Sequence, residues 1–525
     1  MKLSVLKRFS PSSMNAFLAV LSAILLILAF PDFELWFLAW VALAPLFFAV
    51  EREKESIVKS LFVGWIFGTI FFFGSCWWLT FAPITYAGFP ALLAYFLLFC
   101  ASVAVGFFPA IFAALFSITL KRFGVYAIFA APFLWTAIEF LRFWTTGNNW
   151  NAIGYSQAFE TLFAQWASIG GIYLVGFICV FSNALIFYVL RTKSKNAGYL
   201  SATLLFLFIV ISLYSSAAPN YQIEKEKQGF VVAVQPNVPM SGLNYQKYQQ
   251  LRQKHIELAE AALQKVRQIN NTEQPITVIF PESPMNFMYS EDAEFQEFVR
   301  AFAVKNNVSV LFNAAEPDAE SKKYFNSAVM VDASGEKIAQ YDKIYLVPFG
   351  ESVPAPLQNI MPALVGSFSY GKEYDLLSFG DAKAGVMICF ESHFGNLSRE
   401  FVRNGADVLI EMTNDGYLGK TPILRQHLAN AVFRAVETNR PVLRVTNVGI
   451  TAYINERGEV SDVAESYTEA TRVWTVAKSD GSQTFYVKYG DWFAWLCSLV
   501  SLALSFLSFK NRVSHKKAQK TQSKI

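Results

Sequence analysis

Long runs of uncharged apolar residues dominate the chain up to Ser216 and return once near its end. A helix that spans the hydrocarbon core of a bilayer needs about 20 such residues. We therefore predict eight transmembrane helices, of which the second is short and the fourth is kinked at Pro109. The predicted spans are Met14–Phe30, Leu35–Val50, Leu61–Phe81, Ala91–Leu120, Val125–Phe143, Leu162–Leu190, Leu200–Ser216 and Trp492–Phe509.

The composition agrees with a membrane protein. Phe occurs 51 times, and charged residues make up only 16% of the chain, against roughly 25% in an average soluble domain. Most of the charge lies between Asn220 and Lys488, a segment of about 270 residues that is long enough for a full hydrophobic core. We predict a membrane domain of seven helices over residues 1–219, a soluble domain over 220–488, and an eighth helix with a basic tail over 489–525.

Lysine and arginine collect at every second connection between the predicted spans. The positive-inside rule assigns such connections to the cytoplasm, so we expect both termini in the cytoplasm and the soluble domain on the outer face. The basic tail is expected to bind the anionic inner leaflet, and nucleic acid is not expected as a partner. The basic clusters are Lys2, Lys7 and Arg8; Arg52, Lys54 and Lys59; Lys121 and Arg122; Arg191, Lys193 and Lys195; and Lys510, Arg512, Lys516, Lys517, Lys520 and Lys524.

In the soluble segment, short runs rich in Val and Ile alternate with amphipathic helical patterns. This alternation is typical of an α/β layered domain whose strands are buried on both faces. Strands are predicted at Phe230–Val234, Ile276–Phe280, Val308–Phe312, Ser327–Val331, Ala384–Ile388, Val408–Met412 and Val442–Val445. Helices are predicted at Asn244–Gln268, Glu291–Lys305, Leu397–Asn404 and Ile423–Asn439.

Cys389 is the single cysteine of the soluble segment, because the other four, at positions 76, 100, 179 and 497, lie in predicted spans. A disulfide is therefore excluded there. Cys389 directly follows a predicted strand, at the end where open α/β sheets place their chemistry. Glu282 and Asn414 follow two other predicted strands. The pattern favours a nucleophilic thiol, and the scattered histidines and the lack of glycine-rich phosphate loops give no sign of a metal or another cofactor.

Three ordered motifs resemble those of the nitrilase superfamily: Phe280-Pro-Glu-Ser, Tyr341-Asp-Lys followed by Leu346-Val-Pro-Phe-Gly-Glu, and Ile388-Cys-Phe-Glu. With seven predicted spans before this domain and one after it, the whole chain resembles the apolipoprotein N-acyltransferase family. The resemblance implies an αββα sandwich of nitrilase type for the soluble domain. The chain departs from the family pattern at Phe280, Phe390 and Tyr245, where we expect Trp, Tyr and Trp. We expect these three changes to affect the preference for lipid headgroup and acyl-chain length more than the reaction.

The resemblance also implies a catalytic set of Cys389 as nucleophile, Glu282 as general base and Lys343 as the charge that stabilises thiolate and oxyanion. A free thiol is mostly protonated at neutral pH, so we expect these neighbours to hold the sulfur ionised. The backbone N–H of Phe390 is expected to complete the oxyanion site, where one such donor contributes about 3 kcal/mol to transition-state stabilisation.

The substrates follow from the same resemblance. A phospholipid would pass an acyl chain to Cys389 as a thioester, and the α-amino group of the N-terminal S-diacylglyceryl-cysteine of an apolipoprotein would then attack it. This is a ping-pong scheme. The expected location is the bacterial inner membrane, with the catalytic domain on the periplasmic side and the protein a monomer.

Four further residues are expected in supporting or substrate-binding roles. Glu351 and Glu391 would orient Lys343 or polarise the site, and Asn414 would shape a turn or contact substrate. Trp150, in the outer loop before the sixth span, is either an interface anchor or a lipid contact.

Apolar residues at helical spacing between Leu357 and Phe368 predict a mobile arm that lies on the bilayer, with a core-packing helix as the alternative. His427 and Arg434, on a predicted helix, are interpreted as structural.

Two other functions stay open. A membrane-tethered amidase would use the same three residues with water as acyl acceptor, although a hydrolase of soluble amides needs no membrane domain. A transporter would need ionisable groups within its spans, where Glu139 and Arg142 are the main examples.

Overall fold

The computed structural model of this chain describes residues 10–31, 33–217, 227–269, 274–285, 287–353 and 367–522. The chain divides into two compact units. The first, here called the helical unit, comprises residues 1–218 and 491–525, and the second, the mixed unit, comprises residues 219–490.

The helical unit is built from α-helices and short 3₁₀ turns of almost wholly apolar sequence. Its α-helices are α1 (Ser13–Leu28), α2 (Ala44–Glu53), α3 (Ile57–Ser75), α4 (Phe81–Thr85), α5 (Ala91–Val105), α6 (Phe107–Phe123), α7 (Ala131–Thr146), α8 (Thr161–Ala164), α9 (Ala167–Thr192), α10 (Lys195–Ala217) and α16 (Trp492–Gln522).

Within the described residues, five helical segments are long and apolar enough to cross a membrane. They are Ile57–Ser75, Ala91–Thr146, Ala167–Thr192, Lys195–Leu213 and Trp492–Phe509, and Ser13–Leu28 is a shorter apolar helix. The count of eight spans stays a prediction. The second predicted span is not one continuous helix, because a 3₁₀ helix, Trp36–Trp40, precedes the ten-residue helix α2.

The predicted kink in the fourth span lies three residues from its expected place. The helix breaks at Gly106, between α5 and α6, and Pro109 lies in the first turn of α6, where its missing N–H costs no hydrogen bond. Helix α3 packs closely here, since a Cβ at Gly64 would lie 2.3 Å from the Pro109 carbonyl oxygen. Small residues allow such close approach between apolar helices.

The mixed unit contains thirteen strands and five α-helices among its described residues. The strands are β1 (Lys227–Gln235), β2 (Ile276–Ile279), β3 (Ser309–Pro317), β4 (Tyr324–Val331), β5 (Lys337–Asp342), β6 (Phe368–Ser369), β7 (Leu376–Phe379), β8 (Ala382–Ile388), β9 (Val408–Thr413), β10 (Val442–Thr446), β11 (Ala452–Ile454), β12 (Val460–Ser461) and β13 (Ala470–Ala477). The helices are α11 (Tyr245–Ile269), α12 (Ala293–Asn306), α13 (Gly395–Arg403), α14 (Ile423–Thr438) and α15 (Phe485–Tyr489).

The strands form two sheets with the same plan. The first has the order β13-β1-β2-β3-β4-β5 with β6 beside β4, and the second has the order β12-β11-β10-β9-β8-β7. In each sheet three central strands are parallel and the outer strands are antiparallel. Parallel strands place their carboxyl ends along one edge, which gathers the residues that follow them.

The sheets pack face to face, with β1 against β10, and helices cover both outer faces. Helices α11 and α12 bury residues such as Leu263 and Phe302 against Val232, Val278 and Val310 of the first sheet. Helices α13 and α14 cover the second sheet. The predicted αββα sandwich is confirmed, and all seven predicted strands and four predicted helices are present.

The predicted arm falls mainly on residues 354–366, which lie outside the described part of the chain. Of its apolar residues only Phe368 is described, in the two-residue strand β6.

Candidate active site

Three of the sequence-predicted site residues meet at one end of the sandwich. Glu282 follows β2 and Lys343 follows β5 in the first sheet, whereas Cys389 follows β8 in the second. The Lys343 Nζ lies 3.7 Å from Glu282 Oε1 and 2.9 Å from Glu351 Oε1. The charges of Glu282 and Lys343 both act on the Cys389 thiol. One ammonium is thus shared by two carboxylates next to a thiol.

Lys343 is completely buried. Burial opposes its charge, but Glu351 and Glu282 outweigh that effect and raise the pKa of Lys343 above its usual range. Its backbone N–H donates to the Asn326 carbonyl oxygen at 2.9 Å, which fixes the start of the loop. The side chain therefore stays an ammonium ion and serves as a fixed positive charge rather than as a base.

Glu282 is the partly exposed carboxylate of the group. Its Oε1 accepts from Asn326 Nδ2 at 3.0 Å, and its Oε2 accepts from the Asn414 backbone N–H at 3.1 Å. Burial raises the pKa of Glu282, and this effect exceeds the opposing effect of Lys343. A carboxylate with a raised pKa is a better proton acceptor near neutral pH.

Asn326, on β4, is a site residue that sequence reasoning missed. Its Nδ2 donates to Glu282 at 3.0 Å and to Glu351 at 2.7 Å, so one amide spaces the two carboxylates. Asn313 Nδ2 donates to Asn326 Oδ1 at 2.6 Å and holds that amide in place. The sequence signal was weak, because Asn326 directly precedes the predicted strand Ser327–Val331.

Cys389 begins a 3₁₀ helix that ends at His393. Its φ of +54° is in the left-handed region, which costs energy for a residue with a side chain. Burial and the Glu282 charge together outweigh Lys343 and raise the pKa of the Cys389 thiol well above its ordinary value. This direction favours a protonated thiol over the expected thiolate, so the attack would need a base that removes the proton. The ionised sulfur stays a prediction.

Glu391 connects the lysine loop to the cysteine turn. It is completely buried, and its Oε1 accepts from the Tyr341 hydroxyl at 2.8 Å and from the Ile344 N–H at 2.6 Å. Its Oε2 accepts from the Ile388 N–H at 2.8 Å, directly before Cys389. Burial raises the pKa of Glu391 to about 7 against the opposing effect of these donors. The side chain therefore joins backbone segments that belong to different sheets.

Three further predicted residues, Glu351, Asn414 and Phe390, make contacts within the mixed unit. Glu351 Oε2 accepts from the Val347 N–H at 2.8 Å, which closes the Pro-Phe-Gly turn. Asn414 Oδ1 accepts from Asn447 Nδ2 at 3.1 Å. The Phe390 ring packs edge-on against Phe394, with ring centres 5.2 Å apart.

Trp150 belongs to the helical unit. Its ring packs edge-on against Trp78 at 5.7 Å, and its carbonyl oxygen accepts from Arg142 at 2.9 Å.

A second charged cluster lies in the second sheet and was also missed. It consists of Glu411 on β9, Asp415 after β9, His427 on α14 and Arg444 on β10, all buried. We call it the buried quartet. Arg444 pairs with Glu411, and its Nη2 lies 2.8 Å from Asp415 Oδ2. The signal was present, because Glu411 and Arg444 interrupt the apolar runs from which β9 and β10 were predicted.

His427 is the member of the quartet that reaches the cysteine. Its Nδ1 lies 2.7 Å from Asp415 Oδ1, and its Nε2 lies 3.0 Å from the Cys389 carbonyl oxygen. Although burial opposes its charge, Asp415 and Glu411 raise the pKa of His427 to about 9. The described residues contain no group of three or more His, Cys, Asp and Glu side chains that could hold a metal ion.

Comparison with known proteins decides the family. The family model of the apolipoprotein N-acyltransferase N-terminal domain matches residues 22–185, and that of carbon-nitrogen hydrolases matches residues 231–484. The apolipoprotein N-acyltransferase of Geobacter metallireducens is 30% identical over 95% of this chain and 96% of its own length. The chain belongs to the apolipoprotein N-acyltransferase family. Among other family members, that of Pasteurella multocida is 28% identical over 96% and 97% of the two chains.

The family assignment confirms the resemblance drawn from the motifs. The carbon-nitrogen hydrolase match spans Glu282, Lys343 and Cys389, whose roles stay predictions. Among solved structures, an amidase from Nesterenkonia sp. is 14% identical, with 49% of this chain and 92% of that chain covered, at a TM-score of 0.36. A similarity at that level supports no conclusion about this chain.

Proposed function

We propose that this chain moves an acyl group from a phospholipid to the α-amino group of the N-terminal S-diacylglyceryl-cysteine of apolipoproteins, through a thioester on Cys389. The observation that carries the proposal is the ammonium of Lys343 between Glu282 and Glu351 beside a thiol. It occurs in a member of the apolipoprotein N-acyltransferase family with long apolar helices. Acyl transfer by a thiol needs a base and a stabilised oxyanion, and these groups offer both.

In the first half-reaction the Cys389 sulfur attacks the ester carbonyl carbon of the phospholipid while Glu282 takes the thiol proton. The raised pKa of Cys389 makes this transfer necessary. The oxyanion of the tetrahedral intermediate lies near Lys343 Nζ and the Phe390 backbone N–H. When the carbon–oxygen bond breaks, the leaving oxygen takes the proton back from Glu282, and a lysophospholipid departs.

In the second half-reaction the α-amino nitrogen attacks the thioester carbon. Glu282 accepts a proton from that nitrogen, the carbon–sulfur bond breaks, and the sulfur is reprotonated as the amide forms. Lys343 keeps its charge through both halves, because its raised pKa prevents it from acting as the base. Exclusion of water at this stage favours the amine over hydrolysis.

The location is part of the proposal. The distribution of lysine and arginine supports an inner-membrane protein with both termini in the cytoplasm and the mixed unit on the periplasmic side. Alkaline phosphatase fused after residue 525 should be inactive, and the same enzyme inserted after Glu320, in an exposed turn, should be active. The reverse pattern would contradict the orientation.

The decisive experiment is mass spectrometry of the purified protein after incubation with phospholipid alone. We expect an acyl adduct on Cys389 that hydroxylamine removes, that is absent from Cys389→Ala, and that persists in the matched control Cys100→Ala. A synthetic diacylglyceryl-cysteine peptide should then discharge the adduct and gain its mass. An adduct that persists in Cys389→Ala would overturn the proposal.

The carbon-nitrogen hydrolase match favours one alternative, an amidase that uses water as the acceptor. The same experiment separates the two functions. If water discharges the adduct as fast as the peptide does, the amidase is correct.

A further inference from the structure

The strained turn at Cys389 requires an interaction that holds it. A residue with a side chain adopts a φ of +54° only when its surroundings compensate for the strain. The Cys389 carbonyl oxygen accepts from His427 Nε2 at 3.0 Å. The Ile388 N–H, which donates to Glu391 Oε2, fixes the chain directly before Cys389. His427 therefore contacts the strained residue itself, on the side of the second sheet.

The hydrogen bonds of His427 require both ring nitrogens to donate. Nδ1 lies 2.7 Å from Asp415 Oδ1 and Nε2 lies 3.0 Å from the Cys389 carbonyl oxygen. Glu411 Oε1 lies 3.1 Å from Nε2 as an ion-pair partner. A carboxylate oxygen and a carbonyl oxygen can only accept, so both ring nitrogens carry a proton and the ring is an imidazolium ion. The charged groups that face it are Glu411 on β9, Asp415 after β9 and Arg444 on β10. With His427 charged, the quartet holds two anions and two cations.

Thr413 connects Asp415 with the surroundings of the Cys389 sulfur. The Thr413 hydroxyl donates to Asp415 Oδ1 at 3.2 Å, and the Thr413 side chain acts to lower the pKa of the Cys389 thiol, against the net rise. His427 holds the carbonyl of Cys389 directly. The pKa of His427, raised to about 9, is consistent with an imidazolium ion across the physiological range.

We propose that His427 is a positioning residue for acyl transfer, which holds the Cys389 carbonyl and thereby fixes the left-handed turn that presents the sulfur to Glu282. The proposal rests on the proposed function for its role in turnover, but the positioning itself is a property of the thiol and needs no lipid. His427 contacts Cys389 at its carbonyl oxygen, so we expect its effect on the reaction to pass through Cys389.

A matched pair of substitutions separates positioning from packing. In His427→Gln the amide nitrogen can take the place of Nε2 and still donate to Cys389. In His427→Asn it takes the place of Nδ1 and reaches only Asp415. Both variants lose the charge. We expect acylation of Cys389 to slow about tenfold to a hundredfold in His427→Asn, the effect of losing a charge-assisted hydrogen bond, and only a few-fold in His427→Gln. The loss should fall on kcat and leave KM unchanged.

The lipid-free measurement is the alkylation rate of Cys389 by iodoacetamide, followed by mass spectrometry of its peptide in the full-length protein in detergent. Between pH 6 and 9, His427→Asn should slow the alkylation of Cys389 more than His427→Gln does. The two variants should have equal midpoints of thermal unfolding. Equal alkylation rates in the two variants would overturn the proposal, whatever their midpoints of thermal unfolding. If the two variants differ in this way but the parent protein gains no acyl adduct from phospholipid, only the proposed function is contradicted.

If neither variant folds, Asp415→Asn provides the test. It leaves His427 in place and removes the largest charge that keeps the ring protonated. Because a neutral ring can still donate from Nε2, alkylation of Cys389 should slow by a few-fold, as in His427→Gln. An unchanged alkylation rate in Asp415→Asn would overturn the proposal.

Discussion

The candidate catalytic cluster of the first sheet, Glu282, Lys343 and Glu351, and the buried quartet of the second sheet both combine carboxylates with cationic side chains, yet they differ in charge balance. In the first, one cation, Lys343, is shared by Glu282 and Glu351. In the second, two carboxylates meet Arg444 and His427. Burial raises the pKa of Glu282, and the negative charge of Glu351 adds to this rise. The single cation, Lys343, lowers the pKa but does not offset the two.

In the quartet the outcome is opposite. Burial also opposes ionisation of Asp415, but Arg444 and His427 lower its pKa to about 2, and they lower the pKa of Glu411 as well. Complete pairing makes a carboxylate inert, and incomplete pairing leaves one able to take a proton. The carboxylate with the raised pKa, Glu282, therefore lies where carboxylates outnumber cations, which is where we propose the base.

The largest expected effect comes from the base. Glu282→Gln removes the proton acceptor but keeps the shape, so acyl-adduct formation on Cys389 should fall by about 10²- to 10⁴-fold. The unfolding midpoint should change little, because glutamine keeps the shape of the side chain and Lys343 keeps Glu351 as its ion-pair partner. Time-resolved mass spectrometry of the adduct measures the rate. A rate within tenfold of the parent would assign the base elsewhere.

Next in size is a loss of balance in the quartet. Arg444→Met leaves Glu411 and Asp415 buried with only His427 as a cation, which should destabilise the protein by about 3–5 kcal/mol. Chemical denaturation in detergent measures this. The matched control is Arg472→Met, whose partner Asp462 is half-exposed. Equal midpoints for the two variants would contradict the comparison.

The pH dependence of stability distinguishes the clusters further. The folded pKa of His427 is about 9, above the unfolded value of about 6.5, so its contribution is complete below pH 6.5 and is lost as the pH rises through 9. That contribution is about 3 kcal/mol. The free energy of unfolding of the parent minus that of His427→Gln should shrink across this range. A constant difference would show that the ring is neutral in the folded protein.

A smaller effect concerns the amide between the carboxylates. In Asn326→Ala, Glu282 and Glu351 each lose a hydrogen-bond donor, and the one lost by Glu282 lowers the pKa of that carboxyl. The pKa of Glu282 should rise further, and the acid limb of the pH–rate profile for adduct formation should move up by about one unit or less. A shift toward lower pH would mean that Asn326 does not support the carboxylate.

Much of the fold could be predicted from the sequence because central parallel strands are buried on both faces. The runs that predicted β8 and β10 are almost continuously apolar for that reason. Strand β5 was not predicted, because Lys337 and Ile338 are exposed at the edge of the sheet. Strand β13 was also missed, since Thr471, Arg472 and Thr475 interrupt its apolar residues and most of the strand is only partly buried.

The site was predictable only in part. Motif order located Glu282, Lys343 and Cys389, but the distances between them depend on strand order and on the packing of two sheets. Asn326 could not be found, because its hydrogen bonds join residues that are 44 and 25 positions away. The state of the thiol was also hard to predict, because burial and the Glu282 charge raise its pKa while one ammonium ion lowers it.

The surplus of negative charge around Lys343 has a consequence for inhibitors. Two carboxylates surround the single ammonium, so an anionic reagent meets net repulsion as it approaches the sulfur. Iodoacetamide should label Cys389 faster than iodoacetate does, and Lys343→Met should widen that preference. Covalent inhibitors that target Cys389 should accordingly be neutral at the electrophilic carbon, with any phosphate mimic placed well away from that carbon.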